Sequence, residues 1–318
     1  MRKLFLSILF GTVVFTSCKK STTKDPWWDD TYNSGLIRIA CDENFRSLMD
    51  AAIEVFEAHN PDAVIVPIYA SEPEVIRLFT EDSVRFALTT RGLRPRELAA
   101  VDQLGLSLKV RENLIGFDAI ALIMNKTNND SILSMSDLKK ILTGEITQWS
   151  QLNPDTRIGA VRVIVDHKVS GVVRYIADSI TQEAPLTPNI YALHNSLEVI
   201  EKVMQMPNAI GIFGVNALNN APAGYEDKIR LMRISKEDPA TVANSYLPYA
   251  GDIRRENYPL WRPIYVLLSD PKTGLASGLS IFLAHETGQM ILYKSGLLPA
   301  VTDPQNKSVI RTDEYPES

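Results

Sequence analysis

The chain has 318 residues, 45% of them hydrophobic and 22% charged, with a formal net charge of −5. This is a globular composition, long enough for two compact domains. The acidic balance gives nucleic acid no basic surface to bind, and no internal apolar run is long enough to span a bilayer.

At the N-terminus, Arg2-Lys3 precedes the apolar segment Leu4–Phe15, which has signal-peptide length and basic flanks. It ends in Phe15-Thr16-Ser17-Cys18, which resembles a bacterial lipobox with Phe15 in place of the usual Leu. The resemblance implies a signal peptide over 1–17, cleavage before Cys18 and a lipid on the Cys18 sulfur. Cys41 would then have no intrachain disulfide partner. Residues 18–34 are polar, hold Pro26, Trp27 and Trp28, show no periodicity, and read as a tether.

Leu36–Cys41 reads as a strand, and Asp42-Glu43-Asn44 as a turn. Phe45, Leu48, Met49, Ala52, Ile53 and Phe56 make one helical face that ends at His59-Asn60-Pro61. His59 suits a helix C-terminus, where the dipole favours it. Ala63–Tyr69 is the next strand, and Pro67 places it at an edge or a bulge. Ser71 and Glu74 predict a capping box before a helix over Val75–Thr80. Val84–Leu88 reads as a third strand, and Pro95 opens a helix to Leu104. This alternation calls for a mainly parallel sheet with helices on both faces.

Leu106–Asn125 is too long for one ordinary strand and is divided into strands over Leu106–Val110 and Ala119–Asn125, linked by Leu114–Asp118. Such a passage suits a crossing between domains. Ser136–Thr143 is a helix ended by Gly144, followed by a loop anchored on Trp149. The β-branched run Val161–Val165 reads as a buried strand, and Asp166–Gly171 as a polar turn. Val172, Ile176 and Ile180 then recur at helical spacing. Ser170 stands where an N-cap belongs, and Gly171 would let a ligand approach bare backbone. By itself this is an ordinary cap; with free N–H groups at the positive end of a helix it also suits an oxyanion. Leu197–Met206 is a helix and Ile210–Val215 a strand. Tyr246–Tyr258 is polar and turn-rich, and Pro259–Leu268 is extended and apolar, a second crossing. Leu275–His285 and Gly288–Lys294 are helical.

Enzymatic signatures are missing from the sequence. The four histidines show no HxxxH or HExxH spacing, and there is no CxxC, GxSxG, phosphate loop or GxGxxG. Ser170 and His167 are too close on one tight turn to serve readily as nucleophile and base, and no third group orients them. No catalysis, cofactor or metal is expected.

Leu138–Trp149, Pro207-Asn-Ala-Ile-Gly211, Tyr258–Tyr265 and Gly288–Pro299 occur in the order of four segments of the phosphate-binding, PstS-like substrate-binding proteins of bacterial ABC transporters. The resemblance runs from about residue 36 to 300. It implies an α/β fold of the type II periplasmic-binding-protein class: two lobes, two crossover hinge strands, and a ligand held between them. Lobe I would be 35–117 with 260–302, lobe II 118–259, and 303–318 a loose C-terminal tail.

The family binds phosphate with backbone N–H groups at helix starts, hydroxyls, one Arg and one Asp. Carried over by position, its first loop falls on Asn44 and Phe45, its second-loop Ser on Ser71, and its Ser-Gly-Thr on Ser170, Gly171 and Val172. Its Asp falls on Thr90, beside Arg91, and its Arg on Asp166. Both charged groups are therefore replaced, one with reversed sign. A carboxylate 4 Å from a monovalent anion costs about 4 kcal/mol at an effective dielectric of 20, or about a thousandfold in affinity. Compensation would have to come from Lys168, His167, Arg174, Arg46 or Arg91, of which Arg91 is placed to grip an oxyanion at two points.

The expected function is that of a monomeric, lipid-anchored binding protein in the cell envelope, delivering a small anion, phosphate by resemblance, to an ABC permease. The alternative keeps the scaffold with a different ligand, because Asp42, Glu43, Asp166 and Thr90 favour a neutral or cationic group.

Overall fold

The computed structural model describes residues 30–104, 109–182, 184–270 and 273–301. The signal peptide, Cys18, Trp27, Trp28 and the tail over 303–318 lie outside the described residues. Only the last few residues of the tether, 30–34, lie within them.

The first strands, β1 (Gly35–Asp42) and β2 (Ala63–Ala70), pair in parallel along their whole length. Between them runs α1 (Arg46–His59), which buries Leu48, Met49, Ala52, Ile53 and Phe56, the face the spacing predicts. β2 is the sheet edge, where Pro67 removes no needed donor. The next helix, α2, spans Glu72–Thr80 and so begins before the expected Val75. The predicted capping box is not made: Ser71 occupies the N-cap position without a side-chain cap, and Glu74 pairs with Arg77. Glu74 lies three residues before Arg77 on the same helix face, where the two side chains meet as an exposed ion pair. β3 covers Phe86–Thr89 rather than Val84–Leu88, and Val84 instead packs with Val75, Ile76 and Phe79. α3 (Pro95–Gln103) follows.

The divided passage is one strand. β4 runs unbroken over Arg111–Asn125; Lys109 and Val110 are not in it, and 106–108 lie outside the described residues. Its polar opening, Arg111-Glu112-Asn113, hides a strand from periodicity, but the pairing is complete. Arg111–Ala119 pairs antiparallel with a late strand, and Ile120–Met124 with another. β4 therefore carries the main sheet from one set of partners to the next.

β5 (Ile132–Ser134) leads into α4 (Met135–Thr143), capped reciprocally by Ser134 and Asp137. Gly144, at φ +87°, supplies the left-handed residue that stops the helix. Trp149 is fully buried and its Nε1–H donates to the Asn208 carbonyl at 3.1 Å. Trp149→Ala is expected to cost about 3–5 kcal/mol in urea denaturation. A loss below about 1 kcal/mol would contradict its role as the anchor of this loop.

β6 (Arg162–Val165) is followed by α5 (Gly171–Tyr175), which passes into a π-helical turn over Ile176–Thr181. Val172, Ile176 and Ile180 are buried as their spacing predicts. Then come β7 (Ile190–Ala192), α6 (Ser196–Gln205) and β8 (Ala209–Gly214). A short stretch holds α7 (Tyr225–Lys228), β9 (Ile229–Leu231), β10 (Arg233–Ser235), β11 (Ser245–Tyr246) and α8 (Ala250–Arg254). The chain returns along β12 (Trp261–Leu268) and closes with α9 (Leu275–Ala284), α10 (Glu286–Lys294) and β13 (Leu298–Pro299).

Along the main sheet the order is β2-β1-β3-β12-β4-β8-β6-β7, with β9 and β13 also on β4. One lobe is built on β1, β2, β3, β12 and the first half of β4; the other on β6, β7, β8 and the second half. The chain crosses between them along β4 and comes back into β12, two extended crossings that lie side by side. Among the described residues no helix is long and apolar enough to cross a membrane.

Candidate functional site

The lobes meet where their strands end. β1 ends in Asp42, β2 runs into Ser71, β3 into Thr90 and β6 into Asp166. Carboxyl ends of strands in open α/β sheets are where ligands bind, because loops and helix starts converge there. A cleft of about 760 Å³ opens at this meeting. Asp42, Asn44 and Ser71 line it from the first lobe, and Asp166, Ser170 and Ser196 from the second.

Of the eight expected ligand residues, Asn44, Ser71 and Ser170 line this cleft. Thr90 and Gly171 lie in a buried layer behind it. A Cβ on Gly171 would fall 2.9 Å from both Arg262 Nη1 and Asp42 Oδ2. Phe45 and Val172 are core residues with no exposed surface. Arg91 makes its two-point grip on a carboxylate of the chain: Nη1 and Nη2 donate to the Glu97 oxygens, each at 2.7 Å.

Two charges that sequence reasoning passed over dominate the buried layer. Arg262, on β12, is 1% exposed; its Nε donates to Asp118 Oδ2 on β4 at 2.9 Å, and Nη2 stands 2.9 Å from the same oxygen as part of the ion pair. The pair ties the two crossings together. Its sequence signal was present: an arginine in the apolar run Trp261–Leu268 and an aspartate in Ile115–Met124 each require a buried partner. Burial pushes the Asp118 carboxyl above the usual carboxylate range, against the pull of Arg262.

Asp42 is 1% exposed, and Oδ1 accepts from the Asn44 N–H at 3.1 Å. Oδ2 is buried with no hydrogen-bond partner. Burial raises its pKa to about 7, with Arg262 opposing and Glu72 and Asp166 adding to the rise. Asp166 accepts from the His167 N–H at 2.8 Å and the Ser170 hydroxyl at 2.5 Å. Its pKa is also raised by burial, which those bonds oppose. The Ser170 oxygen in turn caps α5 by accepting from the Val173 N–H. Ser170 therefore gives its proton to Asp166 rather than to His167, whose Nδ1 faces the Val169 N–H at 3.3 Å. Among the described residues no group of His, Cys, Asp and Glu is arranged to hold a metal ion.

Polar contacts cross between the lobes on both flanks of the cleft. On one, Asn216 Nδ2 donates to the Asn44 carbonyl at 2.5 Å and Asn220 Nδ2 to Ser47 Oγ at 2.9 Å. On the other, Arg174 pairs with Glu72, and its Nη2 donates to Thr90 Oγ1 at 2.9 Å. Beyond them Arg94 lies 3.5 Å from Asp178. The lobes are thus drawn together around the cleft.

Comparison with known proteins places this geometry in context. Residues 22–286 match the model of a family described as a PBP superfamily domain. The chain is 25% identical over 138 residues to the phosphate-binding protein PstS 2 of Streptococcus pneumoniae, a match that spans only 43% of either protein. It is 24% identical over 313 residues to the phosphate-binding protein PstS of Bacillus subtilis, covering 95% of both. A Clostridium perfringens structure described as a phosphate ABC transporter substrate-binding protein with bound phosphate superposes with a TM-score of 0.69 at 21% identity, over 84% of this chain and 100% of that one. The likeness to that structure establishes the two-lobed α/β fold.

Proposed function

Because the chain belongs to the PBP superfamily, we propose that it is the solute-binding component of an ABC transporter, acting outside the cytoplasm as a monomer held to the membrane by a lipid on Cys18. The lobes of this reading are 35–117 with 260–302, and 118–259. The observation that carries it is the cleft of about 760 Å³ whose walls come from both lobes at the carboxyl ends of their strands. Closure of the lobes around a solute is the mechanism, and no bond is made or broken. Released solute then passes to the permease.

The walls favour a solute that donates hydrogen bonds. Asp42 and Asp166 are acceptors when ionised, and Asp42 Oδ2 makes no hydrogen bond within the chain although Arg262 is its counter-charge. Asn44, Ser71 and Ser196 line the cleft with them, together with Arg46, whose guanidinium is held by Glu43. A neutral polyol, an amide or an amine meets that set without the repulsion an anion would face. A second reading, inorganic phosphate, is favoured by the matched relatives from Streptococcus pneumoniae and Bacillus subtilis, both named phosphate-binding proteins.

Titration calorimetry across pH separates the two. Raising the pH through about 7 removes the Asp42 proton and adds negative charge to the cleft wall. Binding of a donor or cationic solute strengthens across that window, whereas phosphate, itself gaining charge, weakens. Phosphate binding that tightens with rising pH would contradict the acidic cleft. No binding of phosphate at any pH would leave the donor solute as the ligand class.

A further inference from the structure

Glu72 opens α2 directly after the cleft residue Ser71, and its side chain is 1% exposed. Its carboxylate collects the donors that a small free oxyanion would need. Thr90 gives it both the backbone N–H at 3.0 Å and the hydroxyl at 2.5 Å. Arg174, from the opposite lobe, donates through Nε. Arg91 Nε stands 3.9 Å away, buried and without a hydrogen-bond partner of its own. Two guanidinium groups, a hydroxyl and a main-chain N–H converging on one point are the donor set of an oxyanion site. Burial works to raise the Glu72 pKa, but Arg174 and Thr90 outweigh it, so the group is held as an anion.

We propose that Glu72 is a built-in anion: its carboxylate fills an oxyanion site that straddles the two lobes, holds them together without a free anion, and leaves the neighbouring cleft to a different solute. Thr90 and Arg174 lie 84 residues apart and on opposite lobes, and Glu72 bonds to both. A tethered carboxylate occupies such a site at an effective concentration that a dilute external anion does not match. Free phosphate or carboxylate is thereby excluded from the Glu72 site itself by both space and charge. This holds whichever solute fills the cleft, so its failure would leave the transport reading intact.

The test is truncation followed by rescue. Glu72→Ala removes the carboxylate and leaves the donors of Thr90, Arg174 and Arg91 facing a small void. Formate and inorganic phosphate, titrated separately, are expected to raise the melting temperature of this variant and to bind it at least about tenfold more tightly than the wild type. Equal responses from wild type and variant, or a folded variant that responds to neither anion, would overturn the proposal. Should Glu72→Ala fail to fold, Glu72→Gln keeps the shape and the acceptor for Thr90 while losing the charge that Arg174 requires. Small-angle scattering of Glu72→Gln is then expected to give a larger radius of gyration than the wild type without ligand. An unchanged radius would overturn the lobe-holding role.

Discussion

Arg262→Met is expected to destabilise the protein by about 3–5 kcal/mol, read as a lower urea midpoint with an unchanged slope. The guanidinium is 1% exposed and holds Asp118 through two nitrogens at 2.9 Å. Its third nitrogen, Nη1, faces Thr90 Oγ1 at 3.5 Å, and Asp42 Oδ2 lies close by on the same side of Gly171. Methionine fills much of the volume but leaves Asp118 and Asp42 without their counter-charge in a dry layer. Part of the cost is relieved by protonation, because burial already holds the pKa of both carboxyls up. The destabilisation should therefore shrink as the pH falls. Arg262→Met combined with Asp118→Leu should recover much of the loss, since an apolar pair of similar volume often replaces a buried ion pair without penalty. A single replacement costing less than about 1 kcal/mol would show that the pair does not tie the crossings together.

Gly171→Ala is expected to weaken solute binding by about 10–100-fold while leaving the fold of each lobe unchanged. The added Cβ would sit 2.9 Å from Arg262 Nη1 and Asp42 Oδ2 and 3.2 Å from Thr90 Oγ1. None of these atoms is the free end of a surface side chain. Arg262 is fixed by Asp118, and Thr90 by Glu72 and Arg174. Gly171 comes from the second lobe, whereas Asp42 and Thr90 come from the first. The clash therefore exists when the lobes close and vanishes when they part, so the substitution acts on the closing equilibrium. Titration with the solute released from the wild-type protein measures the affinity, and scattering without solute should show a more open particle. An affinity within about twofold of wild type would show that Gly171 is not at the closing surface.

Much of the architecture was legible because it is local. Burial of Leu48, Met49, Ala52, Ile53 and Phe56 follows from helical spacing, and the edge position of β2 follows from Pro67. Ser170 as a cap followed from a hydroxyl residue placed between a β-branched run and a helical one. What stayed hidden depends on partners far along the chain. β4 reads as two strands because its first residues are polar; only β12, more than a hundred residues later, shows it to be one. Arg262 and Asp118 lie 144 residues apart, and Arg174 and Glu72 lie 102 apart. Arg174 and Glu72, read alone, are ordinary surface charges; Arg262 and Asp118 stand in apolar runs that call for a buried partner without saying which one. Arg91 shows the same lesson in reverse: its two-point grip was foreseen, but Glu97 on the next helix takes it.

The most direct test of a solute held between the lobes is a crystal structure of the protein purified with whatever solute it retains. Density is expected in the cleft, touching Asp42 or Ser71 from one side and Asp166 or Ser196 from the other. A solute seated instead in the smaller hollow beside Phe117 and Trp261, or a cleft that stays empty when the solute is added in excess, would contradict the account.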